Sequence, residues 1–222
     1  RTYLFKVLSQ GKRLKEINQY QLYFDKDYLK LLWGDHFKEY RNKIIDAILS
    51  TSREVIKFQD QYIECYSHYQ NIGRTETSEN ILKLSYPYLV SVESMDNQME
   101  EFVRYRKVSN YYLSKLLNME ITKDTPVHIL KTSSAYNVLY IQFGNKVFDG
   151  LLLARSLGLI SNCYTVEIHE EYTTFLTKGC GHGLGLSKCG ANVMANSGYT
   201  YQQILQHYYP NTKLVKVSES TL

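Results

Sequence analysis

Four glycines fall within seven residues in Gly179-Cys180-Gly181-His182-Gly183-Leu184-Gly185, and Leu186 and Ser187 then lead into a helical pattern. Glycine adopts backbone conformations that other residues resist, so this segment is suited to lie close against another group. Ahead of a helix, its amides could cradle an anion. The Lys-Ser/Thr pair of a phosphate loop is missing, however, and no GxGxxG follows a strand, which argues against nucleotide binding. His182 is either displayed by the loop or held as a satisfied interior histidine. A second group of reactive side chains is Cys65-Tyr66-Ser67-His68, followed by Gly73-Arg74-Thr75-Glu76-Thr77-Ser78. Cys65 and His68 are near enough in sequence to share a Zn²⁺, but a structural zinc takes four ligands, and the others would have to come from elsewhere or from water. On one continuous strand the two side chains would face opposite ways, so a shared metal or a Cys/His nucleophilic dyad requires the strand to end by Tyr66. Plain packing is the alternative for both. Glu76, in a polar loop near His68, is the carboxylate of the chain best placed to act as a general acid. It could also serve as a helix-capping or surface acid.

The elements around these segments follow from spacing. Phe37, Tyr40, Ile44 and Ile48 recur at steps of three or four and predict an amphipathic helix over 36–50. Residues 54–58 and 61–66 read as a hairpin around Gln59-Asp60, whose turn lacks the usual Gly. Residues 71–85 read as loop and 86–92 as a strand. A helix is predicted over 109–118, then strands over 138–143 and 146–148 around Gly144-Asn145. A helix over 149–157 stops at Gly158, and strands follow over 164–169 and 172–176. Two helices close the chain, over 187–196 and 200–209. The last opens on a capping box, Thr200 with Gln203, and stops at Pro210. This order predicts an α+β fold, one compact unit over residues 1–222 with a substrate groove, rather than a regularly alternating α/β wind.

The chain has 222 residues, ample for a sizeable core. Its net charge of +4 is too mild, and too evenly spread, for a nucleic-acid binder. The longest nearly uncharged stretch, 147–165, is interrupted by Asp149 and Arg155 and falls short of a membrane span. The four Cys form no CxxC pair, and a disulfide framework is not expected. The 21 Tyr supply amphipathic rings suited to stacking on sugars, though a Tyr-rich core would account for them equally. The chain opens on Arg1-Thr2-Tyr3-Leu4-Phe5, which reads as the middle of an apolar helix, and a piece of a longer protein is expected.

Several of these segments together resemble the stage II sporulation protein D family and its amidase-enhancer relatives. Residues 181–192, with Gly198-Tyr199-Thr200-Tyr201 and 204–212, resemble that family's C-terminal signature, with Lys188 in place of its usual Gln and Cys189 in place of an aromatic. His68 to Glu76 resembles its His-Ser-to-Thr-Glu loop, with departures at Tyr69, Gln70 and Ile72. Tyr86-Pro87-Tyr88-Leu89-Val90-Ser91-Val92 resembles its PYLxSV segment, and Tyr20-Gln21-Leu22-Tyr23 its QxY segment.

The resemblance implies a secreted lytic transglycosylase of peptidoglycan, membrane-anchored and extracytoplasmic, that acts on peptide-stripped glycan strands around an engulfed forespore. In that family the catalytic Glu opens a helix ending in Arg-Thr-Tyr, so it is expected just upstream of Arg1, together with any anchor. Gln21, His68, Thr75, Glu76, His182 and Ser187 would then line the groove and position the sugar. No cofactor is required, and a zinc on Cys65 and His68 would be structural. The implied partners are the stage II sporulation proteins P, an amidase, and M, a membrane protein. No nucleic acid is expected. The alternative the resemblance leaves open is a noncatalytic amidase enhancer that binds wall.

Overall fold

A computed structural model describes residues 1–11, 24–98, 100 and 102–218. In chain order the helices are α1 (Thr2–Ser9), α2 (Lys26–Trp33), α3 (Phe37–Ser50), α4 (Ser78–Leu82), α5 (Asn110–Leu117), α6 (Gly150–Ser156), α7 (Lys188–Asn196) and α8 (Tyr201–Tyr208). The strands are β1 (Glu54–Phe58), β2 (Gln61–Tyr62), β3 (Ser67–His68), β4 (Val103–Ser109), β5 (Val127–Thr132), β6 (Val138–Phe143), β7 (Lys146–Asp149), β8 (Tyr164–Ile168), β9 (Tyr172–Lys178), β10 (Leu186–Ser187) and β11 (Lys213–Lys216). Small, mostly antiparallel sheets mixed with short helices make this an α+β fold, as the order of predicted elements implied. Among the described residues no helix is long and apolar enough to cross a membrane.

The chain divides into two compact units, one of residues 1–65 with 212–222 and one of residues 66–211. In the first, β1 pairs antiparallel with both β2 and β11. The hairpin turn manages without glycine because Gln59 and Asp60 both take left-handed backbone conformations, φ 46° and 61°, which match the twist of the two strands. Phe5 of α1, Val55 and Val217 form the small core. Thr2 accepts a hydrogen bond from the Ile56 amide at 2.9 Å. Arg1 donates to the carbonyls of Ile48, at 3.1 Å, and Thr51, and so caps the C-terminal end of α3. The Arg-Thr pair thus joins α1 to α3 and β1. Neither α2 nor α3 buries a residue, and Leu29, Trp33, Phe37 and Ile44 line an open apolar trough of about 240 Å³ between them.

The second unit holds the larger core. Leu113 and Leu117 of α5, Val138, Ile141 and Phe143 of β6, Leu153 of α6 and Phe175 of β9 pack into one cluster. The three-stranded sheet β4-β9-β8 supplies one wall and β5-β6-β7 another. Residues 86–92 form no strand, contrary to the sequence expectation. Pro87 has no amide to give a ladder, and the segment bonds instead to Thr75 and Ser78. The Thr75 amide donates to the Val92 carbonyl, the Thr75 hydroxyl to Val90, and the Ser78 amide to Leu89. The segment read as loop over 71–85 contains α4, which Thr77 caps by accepting from the Asn80 amide.

Candidate functional site: a glycine-rich loop laid against a histidine loop

The glycine-rich loop and the segment from Tyr66 to Glu76 are laced together along their lengths. The short strands β3 and β10 pair in parallel, with Ser187 opposite His68. Cys180 and Gln70 exchange both backbone hydrogen bonds, at 2.7 and 3.0 Å, and the Glu76 amide donates to the Gly183 carbonyl at 2.8 Å. On its other side the loop rests on residues 160–161, where the Gly181 amide donates to the Ile160 carbonyl. The glycines are required by this closeness. A Cβ on Gly181 would stand 2.7 Å from that of His68, and one on Gly185 would lie 2.0 Å from the Tyr66 carbonyl oxygen. Both residues also sit at positive φ, 108° and 72°. With the amides of Gly179, Cys180, Gly181 and Leu186 donated to protein carbonyls, the loop is built as a packing element.

This lacing brings His68 and His182 together, with ring centroids 6.0 Å apart. Their hydrogen bonds define their tautomers. His68 Nδ1 faces the Leu184 carbonyl at 3.3 Å and must donate, while its Nε2 accepts from the Asn71 amide group at 3.1 Å. His182 Nδ1 accepts from the Leu184 amide at 2.9 Å, so its proton sits on Nε2. Leu184 therefore links two neutral rings of opposite tautomer. Asn71 continues the chain by accepting from the Gly73 amide at 2.8 Å. Burial pushes His68 down to about 4 and lowers His182 as well.

Glu76 is 0% exposed. Its carboxylate accepts from the Thr77 amide at 2.7 Å and from the side-chain amides of Asn80 and Asn137, each at 2.8 Å. It acts as an acceptor on both oxygens, clamping α4 and the 133–137 turn to the histidine loop, with no open face toward a glycosidic oxygen. Thr75 is likewise enclosed among the carbonyls of residues 90–92.

Ser187 is also fully enclosed. Its hydroxyl caps α7 by accepting from the Gly190 amide at 3.2 Å and donates to Asp96 at 2.5 Å. Asp96 takes further hydrogen bonds from Ser94 and from the Asn71 amide, and the Ser94 hydroxyl meets that of Tyr208 at 2.6 Å. Burial raises Tyr208 to about 12. Gly190 is where α7 crosses this cluster, and a Cβ there would stand 2.1 Å from the Tyr208 hydroxyl. Asp96 and Asn137 were not singled out from the sequence, because Ser187 and Glu76 meet them across a long stretch of chain. Local signals existed in the serine-cap spacing, Ser187 to Gly190, and in Asn71, whose side chain bonds His68 and Gly73.

Of the residues assigned to the groove by resemblance, then, His68, Thr75, Glu76, His182 and Ser187 share one layer of the second unit, with His182 the most open of them. Gln21 lies outside the described residues. Cys65 ends the first segment of the other unit, past the end of β2 at Tyr62, and burial pushes its thiol up to about 11. None of the four Cys forms a disulfide. Among the described residues no three His, Cys, Asp or Glu side chains gather to hold a metal ion, and His68 commits both nitrogens within the fold. These groups, as they stand, do not make a metal centre.

No protein-family model matches the chain. Among curated proteins it is 28% identical over 213 residues to "Stage II sporulation protein D" of Bacillus amyloliquefaciens, covering 95% of this chain and 61% of that protein. The protein of the same name from Bacillus subtilis (strain 168) is 28% identical over 207 residues, covering 92% and 60%. An "Amidase enhancer" of Bacillus subtilis (strain 168) is 43% identical over 54 residues, which are 24% of this chain and 8% of that protein. The chain thus spans about three-fifths of the length of the stage II sporulation proteins it matches. The likeness to the stage II sporulation proteins D therefore runs along nearly the whole chain, at 28% identity.

Proposed function

We propose that this chain belongs to a sporulation protein that acts on the bacterial cell wall, as a lytic transglycosylase cutting peptide-stripped glycan strands. The supporting observation is the likeness to stage II sporulation protein D along 95% of the chain. In this reading a Glu on the helix that runs into Arg1-Thr2-Tyr3 is the acid. It protonates the oxygen joining N-acetylmuramic acid to N-acetylglucosamine. The resulting carboxylate then takes the proton of the muramic C6 hydroxyl as that oxygen closes on C1. The C1–O bond to the leaving sugar breaks, the proton balance returns to its start, and no water enters. One carboxyl group suffices, unlike the paired carboxylates of a hydrolase.

The chain's own contribution is to hold the helix that carries that acid. Arg1 and Thr2 fix the start of α1 on α3 and β1. The neutral His182 accepts from the Leu184 amide and also bonds to the Ser67 backbone, which fixes the ring within the loop layer. Outside the cytoplasmic membrane such an enzyme would meet glycan already stripped by an amidase, which suits the stage II sporulation proteins P and M as partners.

A second reading, a noncatalytic amidase enhancer that binds wall, is favoured by the 54-residue match at 43% identity. Peptide-free glycan strands incubated with this chain, and with a version extended upstream through the expected Glu, separate the two. Mass spectrometry should find 1,6-anhydro ends from the extended version alone. Such products from neither would sink the transglycosylase in favour of the enhancer. Products from both would place the acid within the chain and return attention to Glu76.

A further inference from the structure

Helices of ordinary length owe most of their stability to an apolar face packed against something else, and α2 has only eight residues. Yet neither α2 nor α3 buries a side chain. On α2, Tyr28, Leu31 and Leu32 stand open to water, Leu31 at 83%. On α3 the same is true of Ile44, Ile48 and Leu49, at 47, 55 and 66%. The trough between the helices lies among these side chains, since Ile44 belongs to its lining as well. Trp33, the one tryptophan of the chain, lines it from α2 and meets Tyr40 edge to face at 5.9 Å.

Together with Phe24 and Tyr40, the exposed side chains present on the order of 800 Å² of apolar surface, at about 200 Å² for a whole large side chain. The largest apolar patch of a monomeric protein is usually about 300–600 Å². Each partner in a protein interface of standard size covers about 800 Å². Charge then narrows the choice of occupant. Residues 24–50 hold five Lys or Arg and five Asp or Glu. Part of that charge is already used on α2, where Lys30 pairs with Asp27 at 2.9 Å and Asp25 accepts from the Tyr28 amide at 2.8 Å. An anionic bilayer surface selects a basic face, and a strongly charged protein selects the opposite charge. This hairpin offers neither. A second copy of the chain brings the same apolar area and the same balance of charge, and a two-fold axis pairs one patch with itself so that both are covered at once.

We propose that the α2–α3 hairpin is a homodimer interface, in which two copies pair trough to trough and remove on the order of 1,600 Å² from water. The pairing supplies the apolar contact that the two helices lack within their own chain.

The test is sedimentation of the whole chain across a dilution series, with Trp33 emission recorded at the same concentrations. The parent should sediment as a dimer in the micromolar range and dissociate on dilution, and Trp33 emission should move to longer wavelength with the same midpoint as the mass. Leu31→Glu with Ile48→Glu puts two charges into the contact and should raise the dissociation constant about a hundredfold. Leu152→Glu, at a leucine 63% exposed on α6, should leave it unchanged. Slow exchange at the Glu76 and Gly181 amides, which donate within the other unit, checks that both variants are folded. A parent that is monomeric throughout, or a dimer that survives the double variant, overturns the interface and leaves the proposed function standing. A dimer whose dissociation does not move Trp33 emission places the contact elsewhere and overturns it equally. If the chain extended upstream through the expected Glu is monomeric, or if vesicles with anionic lipid take up the parent in place of the dimer, the second copy is the wrong occupant.

Discussion

An imidazole whose two nitrogens are both committed cannot take up a proton without breaking a bond, and His68 is in that position. Its Nε2 accepts from Asn71, so protonation would turn an acceptor into a donor facing a donor. Burial already holds the ring down at about 4, from an ordinary value of 6.5. The folded protein therefore keeps His68 neutral while the unfolded chain binds a proton there. This contribution to stability is complete above pH 6.5 and is lost as pH falls toward 4. A shift of this size amounts to about 3 kcal/mol at most. Urea unfolding at stepped pH should show stability falling through this window. His68→Gln should flatten the fall by roughly one proton's worth of slope. Equal slopes in parent and variant would remove His68 from the account. This layer was only partly legible in sequence. The density of glycines announced a close approach, but what they approach, the Cβ of His68 and the carbonyl of Tyr66, lies more than a hundred residues away. Glu76 drew attention as an acid in a polar loop, and its burial by Asn80 and Asn137 depends on a turn that no local pattern connects to it.

The two closing helices, each with a local start signal, were read correctly and show what such a signal is worth, whereas α4, capped by Thr77, was read as loop. Thr200 and Gln203 form the capping box of α8 on an exposed surface, where water can replace a lost partner. Ser187 caps α7 from the interior and also donates to the buried Asp96. Thr200→Ala should accordingly cost about 1 kcal/mol, the usual worth of a cap. Ser187→Ala should cost about 2–4 kcal/mol, since it removes a cap and a hydrogen bond to a buried carboxylate. Denaturant midpoints of the two variants check the difference, and equal losses would show that Asp96 finds a replacement partner. The same contrast explains the misread elements. The 86–92 segment has strand composition, yet its partners are the hydroxyls and amides of Thr75 and Ser78, which no periodicity encodes. The β3–β10 pair is only two residues long on each side, too short for an alternating pattern, and exists because the glycine loop brings it there.

At the scale of the molecule the two units are built differently in the chain. Residues 66–211 are continuous, and the whole loop layer, with His68, Glu76, Asp96, His182 and Ser187, closes its hydrogen bonds inside that stretch. The other unit is assembled from two distant segments, since β11 returns to pair with β1 from Glu54–Lys216 to Lys57–Lys213. Cutting the chain after Asn211 therefore removes a strand from one unit and nothing from the other. Without β11, β1 is left as an open edge on a two-stranded hairpin, which is marginal in water, and Val55 loses Val217 from its small core. A fragment of residues 66–211 should unfold cooperatively and keep slow exchange at the amides of Glu76, Gly181 and Leu186, all of which donate within it. A fragment of residues 1–211 should keep those same protected amides while the amides of residues 54–58 exchange quickly. Native-state hydrogen exchange on both fragments reads this residue by residue. Rapid exchange at Glu76 and Gly181 in the shorter fragment would mean that the loop layer depends on the segmented unit for its stability. The glycine and histidine loops could then no longer be treated as a self-sufficient site.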